Sequence, residues 1–540
     1  MLIELLLAAI SYGSPVNYEI SLAGNFGEPR PNHFHGGVDV KTGGVEGKPI
    51  FSIGDGYISN VTIGIGGYGN ALYIHHPEGY TSVYCHLKKF TPQIQAMVRK
   101  FQYANKCDKG NFKFKFTDLP VSRGQLVAVS GNTGSSQAPH LHLEIHDTRT
   151  WNMMDPLDFI GNHISDGYAP LGHGFMAYPV LGEGIFCGGS GKQTFGFSSH
   201  NLTRKFFAWG KVGFGIWAND YMEITYNRYG MRHTQLLVDG KEVFNSNVND
   251  IPTTDNMMVN SWGDYEHYLR YNVWYMKSFI KPGNLLPILH AVNDGIVDFN
   301  QEREYHITYI LTDFKGNQSK YTFTIQGKKS VFPKISPVKP EKILRYDRMN
   351  NFQLPGLMLI VPPYYVEDNV ALQPSIKLQP GKLSDAYKFA AAPYPLFNYA
   401  KISIRLKKKV KDNSKLYIIS NLGPRHYLDG FYQAGWVTGK VREMGATYEI
   451  GYDDTPPTVN AVSLGKQITI GINDAESGIS GYQGYIDGHF VLFEEVPKSP
   501  WVRCNLSDTP IKPTGKLHQL KFIATDFRNN KRIFTAQIKY

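Results

Sequence analysis

The stretch "APHLHLEIH", Ala138 to His146, decides the fold of the N-terminal part of the chain. In an extended strand successive side chains point to opposite faces, which predicts one apolar face for the core and one polar face. The apolar face carries Leu141, Leu143 and Ile145, and the polar face carries His140, His142, Glu144 and His146. Two histidines at i and i+2 lie roughly 6–7 Å apart, so one can bind a metal while the other lies beside a substrate. The alternative is a polar strand face in water, and ligand partners elsewhere decide between the two.

A candidate partner segment is "NHFHGGVDV", which contains His35-Gly-Gly-Val-Asp39. A glycine pair lets the backbone turn sharply, so that His35 and Asp39 can converge on one point without a helix. Two nitrogens, from His35 and His142, and one oxygen, from Asp39, with an open fourth position match a catalytic zinc site. A water molecule in that fourth position would be activated.

A further histidine lies in "GYTSVYCHLKKF". Strand alternation predicts that Ser82, Tyr84 and His86 share one face, opposite to Val83, Cys85 and Leu87. His86 and His140 then remain as imidazoles that do not bind the metal. Two such groups beside an activated water could carry its proton and hold the oxyanion of a tetrahedral intermediate.

Three segments, in this order, resemble the lysostaphin/LytM-type zinc metalloendopeptidases, which cut peptide cross-links of peptidoglycan. They are "HFHGGVD", "GYGNALYIHHPEGYTSVYCHL" and "VSRGQLVAVSGNTGSSQAPHLHLEI", and the resemblance covers about residues 20–160. It implies Zn²⁺ as the cofactor and a small antiparallel β fold with its site in an open groove. Carried over by position, it implies zinc ligands at His35, Asp39 and His142 and a catalytic pair at His86 and His140.

The sequence departs from the family pattern at two positions that are not ligands. Ala138 stands where the family usually has glycine, and His75 stands where an acidic residue is more usual. The remaining histidines of this region are expected to be structural or at the surface, with His146 the strongest exception because it extends the polar strand face. These histidines are His33, His75, His76 and His146.

Composition places the chain among multidomain, mostly β proteins. Its 540 residues suggest about three or four domains, and an aromatic content of 13% with 54 glycines favours short twisted strands and many turns. The net charge of +10 is spread along the chain without a long basic run. This argues against a nucleic-acid partner and suits anionic polymers of the cell envelope.

The chain divides into a leader remnant and four parts. Residues 1–14 are apolar and end in small residues, as in the latter part of a signal peptide, although a basic n-region is missing. The parts are the N-terminal domain (15–166), the second module (167–330), the third module (331–452) and the fourth module (453–540). We expect a metallopeptidase fold, an immunoglobulin-like β-sandwich, a β module of uncertain type and another immunoglobulin-like β-sandwich, respectively.

An internal repeat supports the two β-sandwiches. "YILTDFKGNQSKYTFTIQG" (309–327) aligns with "FIATDFRNNKRIFTAQIKY" (522–540), "LLVDGKEVF" (236–244) with "YIDGHFVLF" (485–493), and "VGFGIWAND" (212–220) with "ITIGINDAE" (468–476). Three pairs of similar segments in the same order predict two homologous modules.

The N-terminal domain carries an insertion near 88–119, whose "TPQIQAMVRKF" predicts a helix with Thr91 as N-cap. The four cysteines show no C-x-x-C spacing, which indicates neither a cysteine zinc site nor a dense disulfide scaffold; a Cys85–Cys107 bridge remains an option. Apolar runs shorter than about 18 residues predict no membrane span.

The sequence therefore predicts an exported zinc metalloendopeptidase, periplasmic or at the cell surface, that hydrolyses peptide cross-links of peptidoglycan. Its β-sandwich modules could contact an envelope protein. One alternative is a non-catalytic LytM-like protein that binds the cell wall or regulates hydrolases, although all five site positions are filled here. Another is an adhesion or glycan-binding protein with tryptophans on its sandwiches. The tryptophans concerned, which could equally be core residues, are Trp209, Trp217, Trp262 and Trp274.

Overall fold

A computed structural model of the chain describes residues 12–223, 225–334, 339, 342–422 and 425–540. Most of the predicted leader remnant lies outside these residues. Strands dominate all four parts, as predicted. The helices are α1 (Pro92–Asn105), α2 (Leu157–Ile160), α3 (Val259–Trp262) and α4 (Tyr265–Tyr271). Within the described ranges, none of the helices has both the length and the apolar character needed to span a membrane.

The N-terminal domain is built on an antiparallel sheet in the order β1-β4-β13-β8-β7-β6-β10, beside a small sheet in the order β5-β12-β9. Its strands are β1 (Leu22–Gly24), β2 (Pro29–Arg30), β3 (His33–Phe34), β4 (Val38–Lys41), β5 (Pro49–Phe51), β6 (Gly56–Ile65), β7 (Gly69–His75), β8 (Tyr80–Cys85), β9 (Lys89–Phe90), β10 (Gly110–Lys113), β11 (Pro120–Val121), β12 (Leu126–Val129), β13 (His140–Asp147) and β14 (Met153–Met154).

Strand β13 lies in the middle of this sheet and has the alternation that its sequence predicts. Leu141, Leu143 and Ile145 are fully buried in the core of the domain. The opposite face carries the histidines, and there His142 pairs with Asp39 of β4 on one side and with Cys85 of β8 on the other. The register therefore brings both predicted ligand segments to the centre of one sheet face.

The insertion contains the predicted helix, α1, which begins directly after the N-cap residue Thr91 with Pro92 in the first turn. Ile94 and Val98 are buried against the core, while Phe101 is 37% exposed and Gln102 takes the next buried position. All four cysteines are free, so the optional Cys85–Cys107 bridge is not formed.

The second module is dominated by two long strands, β15 and β17, in a sheet of order β16-β15-β17-β26-β25-β19-β20-β23. Its strands are β15 (Leu171–Phe186), β16 (Gln193–Gly196), β17 (Asn201–Met222), β18 (Thr225–Tyr229), β19 (His233–Val238), β20 (Lys241–Asn247), β21 (Asp250–Ile251), β22 (Met276–Lys277), β23 (Leu289–Ala291), β24 (Val297–Phe299), β25 (Glu304–Thr312) and β26 (Gln318–Gly327).

The second module packs closely against the N-terminal domain. Tyr229 at the end of β18 is fully buried in the core of that domain and donates a hydrogen bond to the Leu22 carbonyl at 2.9 Å. Strand β21 pairs with β14, which extends the first sheet into the second module. Residue 166 therefore lies in the segment that connects α2 to β15, but the core of the N-terminal domain includes residues from beyond it.

The third module contains two five-stranded sheets in its described residues, in the orders β28-β29-β33-β37-β36 and β31-β32-β38-β34-β35. Its strands are β27 (Ile343–Leu344), β28 (Asn350–Leu354), β29 (Leu357–Val361), β30 (Val370–Ala371), β31 (Ser375–Lys377), β32 (Ala386–Lys388), β33 (Pro395–Arg405), β34 (Leu416–Asn421), β35 (Arg425–Leu428), β36 (Phe431–Gln433), β37 (Trp436–Glu443) and β38 (Thr447–Tyr452).

The fourth module encloses its core between two four-stranded sheets, in the orders β39-β40-β44-β43 and β42-β41-β45-β46. Its strands are β39 (Thr458–Leu464), β40 (Gln467–Asn473), β41 (Ile479–Ile486), β42 (His489–Val491), β43 (Glu494–Glu495), β44 (Trp501–Asn505), β45 (Leu517–Asp526) and β46 (Lys531–Lys539).

Strands that contain the repeated segments are arranged in the same order in the second and fourth modules. The order β20-β19-β25-β26 of the second module matches the order β42-β41-β45-β46 of the fourth. The tight turns of the first hairpins also agree, because Asp239-Gly240 and Asp487-Gly488 all have positive φ, which such two-residue hairpin turns require. The immunoglobulin-like class of both modules stays a prediction.

Candidate active site

The five predicted site residues come together on the polar face of β13. Asp39 lies on β4, His35 lies in the turn between β3 and β4, and His142 lies on β13. His140 begins β13, and His86 directly follows β8. His142 thus contacts both His35, which is 107 residues away along the chain, and Asp39, which is 103 residues away.

The glycine pair between His35 and Asp39 has a different role from the predicted one. Gly36 and Gly37 do not have the positive φ of a strained turn. A Cβ at Gly37 would lie 2.2 Å from the Leu143 carbonyl oxygen, and a Cβ at Gly36 would lie 2.8 Å from Glu144 Oε1. The glycines are therefore needed because the backbone passes directly against β13.

Three ligand atoms converge in the centre of the site. His35 Nε2 lies 3.0 Å from Asp39 Oδ1 and 3.0 Å from His142 Nδ1, and His142 Nδ1 lies 2.8 Å from Asp39 Oδ1. All three residues are buried. Ligands around tetrahedral zinc lie roughly 3.3 Å apart, given Zn–N bonds of about 2.0–2.1 Å. The observed triangle is slightly tighter than this, and two imidazole nitrogens with one carboxylate oxygen are the donor set that zinc prefers.

Hydrogen bonds behind the site leave the required nitrogens free. His35 Nδ1 donates to the Asn25 carbonyl at 2.6 Å, which leaves the lone pair of Nε2 for a metal. His142 Nε2 donates to Glu144 Oε1 at 2.8 Å, which leaves the lone pair of Nδ1. Partners of this kind orient metal-binding histidines and fix their tautomers. The residues present therefore fit a zinc ion.

Glu144 is the hub of the hydrogen bonds behind the site. This buried carboxylate also accepts hydrogen bonds from His146 Nε2 and from the Tyr68 hydroxyl, each at 2.7 Å. Burial alone would raise the pKa of Glu144, but the hydrogen bonds and charges of His142 and His146 lower it well below its usual range. Glu144 therefore stays ionised and adds negative charge behind His142.

The electrostatics of the ligands follow from burial and from their contacts. Burial lowers the pKa of His35 to about 4, although Asp39 opposes this shift. Burial also disfavours the charged form of His142, but hydrogen bonds to Asp39 and Glu144 raise its pKa to about 9. Asp39 Oδ2 accepts a hydrogen bond from Arg30 Nη2 at 3.0 Å. Despite burial, which would raise it, the pKa of Asp39 is held below its usual range by the surrounding histidines.

His86 and His140 lie beside the ligands and contact each other, with ring centroids 4.8 Å apart. His86 Nδ1 donates to the Thr133 carbonyl at 2.8 Å, and His140 Nδ1 donates to the Ala138 carbonyl at 2.8 Å. Both Nε2 atoms therefore face the site, and that of His140 lies 3.3 Å from Asp39 Oδ1, to which it can donate when it carries a proton. Burial, together with the nearby His142 and His140, lowers the pKa of His86 to about 3, so this ring is neutral.

The predicted strand position of His86 is wrong. β8 ends at Cys85, and His86 has a φ of 60°, which takes it out of the strand alternation. Tyr84 belongs to the core face of the sheet, opposite Leu143, while Cys85 pairs with His142 on the site face. The left-handed backbone turns His86 back toward that site face, so the residue reaches the predicted place by another route.

The other histidines have structural contacts. His33 Nδ1 contacts the Pro31 carbonyl, His75 contacts the Tyr57 hydroxyl, and His76 contacts Ser82. His146 supports Glu144 and stacks on Trp151. The sequence analysis did not assign a role to four residues that contact the predicted ligands or hydrogen-bond to their partners. Only Glu144 could have been found from the sequence, because it lies on the same strand face as His142. The four residues are Asn25, Arg30, Tyr68 and Glu144.

Comparison with known proteins identifies a family match and relatives for the N-terminal domain. Residues 33–112 match the family model of peptidase family M23, a range that holds His35, Asp39 and His86 and ends before His140. The chain is 31% identical over 138 residues to the peptidoglycan DD-endopeptidase ShyA of Vibrio cholerae, covering 24% of this chain and 26% of that protein. It is 30% identical over 102 residues to the lipoprotein NlpD of Yersinia enterocolitica, covering 19% of this chain and 80% of that protein.

Among solved structures, the catalytic domain of lysostaphin from Staphylococcus simulans matches with 24% identity and a TM-score of 0.19, covering 26% of this chain and 90% of that chain. The fold and the site define a LytM-type metallopeptidase domain. The chain belongs to peptidase family M23. It spans about a quarter or less of the length of curated relatives such as ShyA. Residues 341–453, which include most of the third module, match the family model of the Zu5-like domain.

Proposed function

We propose that the protein is an exported zinc metalloendopeptidase that hydrolyses peptide cross-links of peptidoglycan. The observation that carries this proposal is the triangle of His35 Nε2, Asp39 Oδ1 and His142 Nδ1, with sides of 2.8–3.0 Å. Each histidine of the triangle has its other nitrogen hydrogen-bonded to a partner outside the triangle, so the nitrogen that faces the centre is the one that can bind a metal when it is unprotonated.

Zn²⁺ held by His35, Asp39 and His142 would supply a Lewis acid that polarises the scissile carbonyl and lowers the pKa of water. His86, neutral and with Nε2 free, can accept the proton of the attacking water. His140 lies between His86 and Asp39 and, once protonated, can donate from Nε2 to the developing oxyanion or to the leaving amine. Glu144 holds the His142 ring in place throughout.

Substrate and location are proposed from the relatives and the charge. ShyA is named a peptidoglycan DD-endopeptidase, and NlpD is named a lipoprotein. A net charge of +10 favours approach to an anionic cell-wall polymer. The zinc ion, the exported location and contact of the second to fourth modules with an envelope protein are parts of the same proposal.

The test separates the two histidines of "HLH". His142→Ala removes one of three protein ligands, so zinc binding and activity should both be lost. His140→Ala leaves the ligands in place, so zinc affinity should stay within a few fold of wild type while turnover falls by roughly a hundredfold or more. Purified full-length variants are assayed for zinc content and for muropeptide products by mass spectrometry.

His75→Ala is the matched control, because His75 lies outside the site and contacts Tyr57, and it should keep both properties. Equal zinc loss in His140→Ala and His142→Ala, or wild-type turnover in His140→Ala, would refute the assignment. The second candidate function, a non-catalytic regulator, is favoured if the wild-type protein binds zinc but releases no product from any cross-linked muropeptide. The five filled positions argue against that outcome.

A further inference from the structure

Three aspartates meet where the N-terminal domain joins the second module. Asp166 lies in the connecting segment, Asp220 lies near the end of β17, and Asp313 lies in the turn between β25 and β26. One carboxylate oxygen of each residue lies within 4.8 Å of the other two. This cluster, the junction cluster, is separate from the candidate zinc site and shares no residue with it.

The junction cluster contains buried oxygens that lack partners. Asp220 is only 2% exposed, and among the described residues nothing donates a hydrogen bond to its Oδ1. Oδ2 of Asp166 is also buried and, within the same ranges, has no partner. A buried carboxylate oxygen without a partner is costly unless a cation or a donor faces it. Desolvation, reinforced by the charges of Asp166 and Asp313, raises the pKa of Asp220 to about 8.

The neighbouring side chains do not neutralise the cluster. Lys315, the nearby cation, donates from Nζ to the Gly161 carbonyl at 2.6 Å. Glu223, a fourth carboxylate close by, accepts from the Gly167 backbone and adds further negative charge near Asp166. The described residues contain no ion pair between Asp166, Asp220 or Asp313 and a lysine or arginine.

The fourth module offers an internal comparison, because carboxylate oxygens of Asp453, Asp474 and Asp526 also lie within 4.8 Å of one another. There the oxygens have donors. Asp453 Oδ2 accepts from both the hydroxyl and the backbone nitrogen of Ser477, and Asp474 Oδ1 accepts from the Gly478 nitrogen. Ser477 follows Asp474 by three residues, whereas Glu223 follows Asp220 by three. Asp313 of the junction cluster accepts hydrogen bonds from Lys315 and Asn317, as Asp526 does from Arg528 and Asn530. The junction cluster therefore differs at Asp220 Oδ1 and Asp166 Oδ2, which are buried without a partner among the described residues.

We propose that the junction cluster binds one Ca²⁺ ion. Its ligands are carboxylate oxygens, and Ca²⁺ takes 6–8 oxygen ligands with tolerance for irregular geometry, whereas the absence of nitrogen and sulfur from the cluster disfavours zinc. The ion would join three segments that are distant in sequence. One of them, the turn after β25, also carries Phe314, which packs against the core of the N-terminal domain. Calcium would therefore tie the peptidase domain to the second module.

Equilibrium dialysis with radioactive calcium tests the proposal on the full chain, stripped of metal and then loaded with one equivalent of zinc. Wild type should bind about one Ca²⁺ with a dissociation constant at or below about 10⁻³ M. Asp220→Asn keeps the size of the side chain and should weaken binding at least tenfold. Asp474→Asn, the same kind of change in the aspartate cluster of the fourth module, is the matched control and should leave binding unchanged.

Thermal unfolding gives a second readout that a purely structural cluster would not produce. Calcium should raise the Tm of wild type and of Asp474→Asn but not that of Asp220→Asn. Without calcium, Asp220→Asn should be at least as stable as wild type, because asparagine cannot ionise among the neighbouring carboxylates. Asp166→Asn replaces it if Asp220→Asn fails to fold. Absence of calcium binding by wild type, wild-type affinity in the Asp220 or Asp166 variant, or loss of binding only in Asp474→Asn would overturn the proposal.

Discussion

Replacing Glu144 by glutamine tests whether the hydrogen bonds behind the ligands tune the metal site. Glu144 accepts from His142 Nε2 at 2.8 Å, from His146 Nε2 at 2.7 Å and from the Tyr68 hydroxyl at 2.7 Å. Glutamine keeps the shape but removes the charge and turns one acceptor oxygen into a donor. His142 then loses the anionic partner that makes it a stronger ligand. We expect zinc affinity to fall about 10–100-fold, which corresponds to about 1.4–2.7 kcal/mol.

The assay is competition for zinc between the full-length protein and a chromophoric chelator, followed by peptidoglycan hydrolysis at saturating zinc. Glu144→Gln should recover much of its activity when zinc is saturating, because neither a ligand nor His86 nor His140 has changed. Glu78→Gln, which changes an exposed carboxylate near Tyr12, is the control and should bind zinc like wild type. Wild-type zinc affinity in a folded Glu144→Gln protein would show that the network does not tune the ligands.

Two further outcomes follow from the same structure. In the metal-free site burial opposes protonation of His142, but the hydrogen bonds to Asp39 and Glu144 prevail and raise its pKa to about 9. Zinc must therefore displace about one proton near neutral pH, and the apparent affinity for zinc should rise about tenfold per pH unit up to that pKa and then level off. Calorimetry in buffers of different ionisation enthalpy measures the number of protons released. Zinc binding without proton release would contradict the argument. Tyr229→Ala should destabilise the N-terminal domain by about 3–5 kcal/mol, since the ring is fully buried there, whereas Tyr229→Phe loses only the hydrogen bond and about 1 kcal/mol. Thermal unfolding followed by zinc release measures both, and equal stability of Tyr229→Ala and wild type would show that the second module does not complete that core.

The sequence predicted which side chains come together at the candidate site because their pattern is local. Alternation along β13 puts His140, His142 and Glu144 on one face regardless of what surrounds the strand. The H-x-x-x-D spacing of His35 and Asp39 supplies the remaining ligands within five residues. Tyr68 and Arg30 could not be found in this way, because their contacts with Glu144 and Asp39 depend on how separate turns pack over the sheet.

His86 lies on the predicted face of the sheet, but strand alternation is not the reason. The alternation of β8 would have put it on the core face with Tyr84, and only the left-handed backbone at φ 60° brings it to the metal site. A non-glycine residue in this conformation costs free energy that the rest of the fold must supply. The hydrogen bond of His86 Nδ1 to the Thr133 carbonyl holds the ring in this orientation.

The second module contacts a residue that orients His35. The Asn25 carbonyl orients His35, and the Asn25 side chain is held on both sides by the backbone of Gly230 in the second module, through hydrogen bonds of 2.9 and 2.8 Å. A side chain at Gly230 would bring its Cβ within 2.8 Å of the Glu28 backbone, so the approach requires glycine. The second module thus lies one residue behind His35, a proposed zinc ligand, and a change in how the two parts pack would be transmitted to His35 through Asn25. Composition and repeats reveal that such a module exists, but only tertiary packing reveals that it supports the candidate site.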